Sequence, residues 1–231
     1  MKITWLGQAG LMMETGGKIL LIDPYLSDNV KNFEPKNYRR VPVDERFLAI
    51  KPDVIVITHN HLDHLDKETL KHYLTDEASC LVLAPNGGWQ ELRMFGGNSN
   101  YVLFNTGTTW TEGGIVFRAV KAEHSDPYAI GVIITAEGKN YYITGDTLYN
   151  EAVFASLPDM PLEAVFLPIN GVGNNMNATD AAIFANRTGA KHAVPYHVGM
   201  FDSIDPNTFS APNKIIPEIY REITFKQEET L

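Results

Sequence analysis

The residues best equipped for chemistry stand together in VIVITHNHLDHLD, residues 54–66. Five residues of strong strand character, Val54 to Thr58, run straight into His59, His61, Asp63 and His64. In an extended or turning backbone, residues i and i+2 point to the same side, so His59 and His61 can hold one metal ion together. Asp63 and His64 leave the turn in another direction, which suits a second ion close by. Imidazole nitrogen combined with carboxylate oxygen suits Zn2+, and also Fe2+ or Mn2+. The one cysteine, Cys80, lies in the apolar run SCLVLAP and reads as a small buried residue. With no thiolate near the motif, a catalytic site with open coordination positions fits better than a closed structural zinc site.

Of the seven histidines, two more share the same context. His124 in VKAEHSDP and His197 in VPYHVGMFD each follow an apolar run, as does Asp146 in YYITGD. Strand C-termini are where α/β domains form ligand crevices, because rigid strands carry distant side chains to one place. His72 and His192 read instead as ordinary surface or packed imidazoles. Weaker candidates are the amides Asn170, Asn174, Asn175 and Asn177 in INGVGNNMN. They suit sugar hydroxyls or a phosphate, and suit plain turns equally well. Arg39 and Arg40 offer a phosphate clamp or a solvated face. Tyr196 and Asp202 flank His197 as supporting residues.

The elements that must position these residues are short and regular. Three strands open the chain, KITWLG, GLMMET and KILLIDP, with hairpin chemistry at Gly16-Gly17. Residues 25–46 carry no periodicity and read as a long loop or insertion on the substrate side. A strand is expected over residues 52–58, a helix over 67–74, a strand over 80–84 and a helix over 88–95. Strand-rich texture follows in YVLFN, TTWTEG, IVFRAVKA, AIGVIITAEG and NYYITGD. The last third alternates: strand AVFLPIN, helix ATDAAIFANRTG, strand KHAVPYH and a final helix near residues 213–222. Meanders followed by helix–strand units predict an α/β fold, two sheets face to face with helices outside, in the order αββα.

The bulk numbers fit that picture. A chain of 231 residues with 44% hydrophobic content can bury a sizeable core. Without a repeat, a low-complexity tract or a long linker, one domain over residues 1–231 is expected. The net charge of -9 argues against a nucleic-acid footprint and against an anionic membrane surface. It leaves an anionic substrate open, since local cations reverse the sign of one cleft. A single thiol builds no internal disulfide, the N-terminus lacks a signal-peptide core, and no run is long enough to span a bilayer. A cytoplasmic protein is expected, with a small-molecule substrate and a second copy of itself in a homo-oligomer as partners.

The stretch THNHLDHLD resembles the signature of the metallo-β-lactamase fold superfamily. The remaining superfamily motifs match in order, with Asp23 after an early strand, His124 in AEHS, Asp146 in ITGDT and His197 in PYH. WLGQAG, LLIDPYLSD, YYITGDT and VFLPINGVGNNMNATDAA are most similar to the branch containing ascorbate-6-phosphate lactonase and small metal-dependent hydrolases. The HxHxDH stretch is also similar to the metal motif of N-acylphosphatidylethanolamine phospholipase D. The resemblance implies a four-layer αββα sandwich and two divalent ions, Zn2+ or Mn2+ with Fe2+ as the other option. It implies that His59, His61 and His124 hold the first ion, Asp63, His64 and His197 the second, and that Asp146 bridges both. Asp23 would orient a ligand from behind. Asp63 would orient the nucleophile and act as base, or serve purely as a ligand. The activity implied is hydrolysis by a metal-bridging hydroxide, acting on a small polar ester, a lactone such as a sugar-phosphate lactone, or a phosphoester. The alternatives on the same fold are a phosphodiesterase or nuclease and an iron-dependent oxidoreductase.

Overall fold

The computed structural model describes residues 1–225. Its first half is a six-stranded sheet in sequence order: β1 (Lys2–Gly7), β2 (Gly10–Thr15), β3 (Lys18–Ile22), β4 (Val54–Val56), β5 (Leu81–Ala84) and β6 (Asn100–Leu103). The first three strands pair antiparallel and the last three add in parallel. The parallel additions need crossovers, and these carry α1 (Lys67–Leu70) and α2 (Asn86–Leu92).

The second half repeats the plan. β7 (Thr109–Glu112), β8 (Ile115–Lys121), β9 (Ile130–Ala136) and β10 (Lys139–Ile143) form an antiparallel meander. β11 (Ala164–Pro168) and β12 (His192–Tyr196) then add in parallel, through crossovers containing α3 (Glu151–Ser156) and α4 (Ala178–Thr188).

Period-two alternation on the first sheet decides which residue faces which layer. Leu20, Ile22, Val54, Val56, Leu81 and Leu83 face the core shared with the second sheet. Leu21, Ile55, Ile57, Val82 and Ala84 face outward onto Leu65, Leu70, Tyr73, Leu74 and Leu92 of the α1–α2 side. That is why VIVI is apolar throughout, since both faces of its strand are buried. On the other side, Phe184 of α4 packs with Phe154 of α3 and Tyr142 of β10. The result is the expected αββα sandwich.

Three local expectations change. The helix expected over residues 67–74 makes one α turn and then tightens, with His72 N–H donating to Thr69 and Tyr73 N–H to Leu70. α2 starts two residues before Gly88, and Gly88 serves as a contact point where a Cβ would lie 2.7 Å from Leu65 Cδ1. The final helix near residues 213–222 does not form. Asn213 and Tyr220 take positive φ of 52° and 64°, and Pro217 removes a donor between them. The segment instead runs extended along both sheets. Ile215 N–H donates to Ala193 of β12 at 2.9 Å, and Ile223 N–H donates to Ile3 of β1 at 2.7 Å. Residues 25–46 form an irregular stretch with one 3-10 turn inside it, Asn29–Asn32, and a second, Glu45–Phe47, across its end.

Candidate metal centre

All seven sequence-derived candidates lie in one cluster at the ends of strands from both sheets. His59, His61 and His124 form one group that could hold a metal ion, Asp63, His64 and His197 a second, and His59, His64 and Asp146 a third linking them. In the first group the three imidazole centroids are 4.5–4.6 Å apart. In the second, His197 Nε2 is 3.2 Å from both Asp63 Oδ2 and Asp146 Oδ2, and His64 Nε2 is 3.3 Å from Asp146 Oδ1. Asp146 therefore turns one carboxylate oxygen to each of two histidines.

The side chains are held from behind. Asp23, fully buried with a φ of 43°, accepts from Thr58 N–H at 2.7 Å and Thr58 Oγ1 at 2.6 Å. It also accepts from His64 Nδ1–H at 2.8 Å, which leaves the His64 Nε2 lone pair facing the cluster. His59 Nδ1 is 3.0 Å from Thr58 Oγ1, so one Asp23–Thr58 pair fixes two imidazoles. Asn175 holds Asp146 through Nδ2–Oδ2 at 2.8 Å, while its own oxygen accepts from Thr147 N–H. On the other side the Gln8 side-chain amide donates to Asp63 Oδ2 at 2.8 Å, and the Gln8 backbone carbonyl accepts the His197 backbone N–H at 2.9 Å.

Charge is distributed unevenly between the groups. Burial, with help from the neighbouring His64, pushes His59 well below the usual histidine range, and burial also lowers His124. Burial opposes the charge on His197, but the Asp146 and Asp63 carboxylates outweigh it and raise the group to about 10. His64 goes well above its usual range for the same reason, with Asp146, Asp23 and Asp63 prevailing over burial. Burial would raise Asp63 and Asp146, yet the facing histidines hold both low. Such a cavity calls for positive charge. The donor set fits a divalent metal: His59 Nε2 is buried and has no hydrogen-bond partner among the described residues.

The other candidates divide. Asn174 sits at a φ of 64° in the turn, and Asn177 caps α4 by accepting from Thr179 and Asp180 N–H. The Arg39 guanidinium is engaged by the Tyr25 and Val41 carbonyls and the Tyr220 hydroxyl, and Arg40 by the Phe201 carbonyl. Neither arginine is a ready phosphate clamp. Asp202 shapes the turn after His197 by accepting from Gly199 and Ile204 N–H. Burial, then the Asp146 and Asp23 charges, push the Tyr196 phenol well above its ordinary range. Sequence reasoning gave no role to Gln8 or Thr58. Gln8 carried one faint signal, a long amide in a glycine turn between two apolar strands.

Fold and site together define a metal-dependent hydrolase. The family described as Beta-lactamase superfamily domain matches residues 18–198, and the chain belongs to it. A UPF0173 metal-dependent hydrolase of Geobacillus thermodenitrificans is 31% identical over 227 residues, covering 90% of this chain and 91% of the relative. Among solved structures, the metallo hydrolase Igni18 of Ignicoccus hospitalis superposes with a TM-score of 0.77 at 21% identity, covering 98% of this chain and 99% of that one. An isothiocyanate hydrolase from Delia radicum gut bacteria gives 0.73 at 20% identity, covering 97% of this chain and 99% of that one. No described helix is long and apolar enough to cross a membrane.

Proposed function

We propose that this chain is a two-metal hydrolase of a small polar ester, lactone or phosphoester. Divalent ions of the Zn2+ or Mn2+ kind would supply an acidified water and Lewis-acid polarisation of the scissile group. His59, His61 and His124 would hold one ion, Asp63, His64 and His197 the other, and Asp146 would reach both. The observation that carries this reading is His59 Nε2, buried and unpaired within the converging donor set. A protein built only to fold would have little cause to leave it so.

Asp63 is less enclosed than the histidines beside it, with 16% of its side chain accessible against 0% for His64. It is therefore placed to touch an attacking water and orient it, while Gln8 keeps the carboxylate aimed. Sugar-phosphate lactones are favoured among substrates through the likeness of WLGQAG and VFLPINGVGNNMN to lactonase-type sequences. The test is a panel of lactones, phosphodiesters and thioesters with metal-reconstituted protein, with Asp146→Asn as control. Wild type should turn over one class and Asp146→Asn should lose at least one bound ion and most of that activity. Equal slow rates for both would overturn the reading. Elemental analysis of natively purified protein separates Zn2+ or Mn2+ from iron, and iron would favour an oxidoreductase.

A further inference from the structure

Four of the five histidines in the cluster have an oxygen beside one ring nitrogen. His64 Nδ1 has Asp23, His59 Nδ1 has Thr58, His61 Nε2 has Ser125 Oγ at 3.5 Å and His124 Nε2 has the Gly173 carbonyl at 3.1 Å. His197 has none beside its Nδ1. Its Nε2 faces Asp63, Asp146 and His64, its Nδ1 has the Asn170 Nδ2 nitrogen for a neighbour at 3.1 Å, and Gln8 Nε2 lies 3.3 Å from both ring nitrogens. A donor against Nδ1 would select the tautomer with the proton on Nε2, whose Nε2 cannot bind a metal. Gln8 cannot turn over, because the Asp63 carboxylate 2.8 Å away needs its N–H. Asn170 can. Its Oδ1 is buried without a partner, and the oxygen and nitrogen of a carboxamide are isosteric, told apart by what they touch. A half-turn of the amide only exchanges one unpartnered atom for another, so hydrogen-bond counting does not choose between the two arrangements. The tautomer required of His197 does.

We infer that Asn170 Oδ1 accepts the Nδ1–H of His197 and so holds this imidazole with its Nε2 lone pair in the metal centre. The inference rests on the reading of His197 as a metal ligand. Asn170 is a positioning residue for that ligand, the amide counterpart of what Asp23 is for His64. Its backbone suits the task. Asn170 forms a bridge with Asn177, Gly171 N–H donates to Met176 at 3.1 Å, and Asn177 is fixed as the cap of α4. Residues 171–174 of the loop project outward, with Val172 exposed, while Asn175 and Met176 are buried.

The experiment is a Zn2+ titration of the full chain, wild type, Asn170→Leu, Asn170→Asp and His197→Ala, with nitrogen-detected histidine NMR of the loaded proteins. Asn170→Leu should weaken one of the two zinc equivalents by about 10- to 100-fold and leave the other unchanged. It should also lose the slowly exchanging Nδ1–H resonance of His197. Asn170→Asp keeps an acceptor, so it should bind no more weakly than wild type and retain that resonance, which separates the effect from a general loss of folding. If His197→Ala abolishes one equivalent while Asn170→Leu titrates like wild type with the resonance intact, the Asn170 inference is wrong and the metal assignment stands. If His197→Ala binds both equivalents normally, the assignment itself falls and the inference with it.

Discussion

Protons and metal ions compete for the same imidazoles, and the two half-sites should feel that competition very differently. Lowering the pH from 8 to 6 is the perturbation. His197, at about 10, is protonated at both values and must release one proton to accept an ion through Nε2. Each pH unit then changes the apparent affinity about tenfold, so two units cost about 100-fold, or ~2.7 kcal/mol. His64 is also held well above its usual range and adds a second proton in the same direction. The affinity of the Asp63–His64–His197 half-site should therefore rise steeply with pH. His59 and His124 are both held low by burial, so they have fewer protons to release and their half-site should respond more weakly. A His61→Ala background isolates the first case and a His197→Ala background the second. Calorimetric Zn2+ titrations in buffers of different ionisation enthalpy would count the protons released. Equal pH slopes in the two backgrounds, or no proton release in the His61→Ala protein, would refute the electrostatic argument.

Two further perturbations test what lies beneath the site. Asp23→Ala leaves Thr58 N–H, Thr58 Oγ1 and His64 Nδ1–H without their shared acceptor. At about 1–3 kcal/mol per buried orphan and ~2–4 °C per kcal/mol, calorimetry of the metal-free protein should show a fall of about 6 °C or more. An unchanged melting point would show that water replaces the carboxylate. Gly131→Ala would set a Cβ 2.9 Å from Tyr142 Cε2 and 3.0 Å from the Thr144 carbonyl oxygen. That overpacking should cost about 1–3 kcal/mol by denaturant melts, and a neutral result would mean that β10 can shift.

The first half of the centre was legible because HxHxDH compresses four donors into six residues at the end of a doubly apolar strand. His124, Asp146 and His197 each stand alone in their own segments, and were legible through their position after strands together with the motif order of the resembled superfamily. Gln8 and Thr58 were not legible. An amide and a hydroxyl carry no metal signature, and their roles exist only because the β1–β2 turn meets the end of β12 and Asp23 lies under β4. The segment over residues 213–222 misled for the opposite reason. Its isoleucines at 215, 216, 219 and 223 follow helical spacing, but its N–H groups found carbonyls on two sheets. Tertiary hydrogen bonding overrode local periodicity there.

That same segment covers two of the sheet edges with which a second copy of this molecule could pair. A sandwich of two open sheets has four outer strands, here β1, β6, β7 and β12. Residues 213–223 lie along β1 and β12, using carbonyls of Ile3, Trp5 and Ala193 that a neighbouring chain would otherwise reach. The two strands left, β6 and β7, are four residues each. Short edges offer few backbone groups to a visiting strand. Among the described residues, backbone pairing between two copies is therefore left only those two short edges.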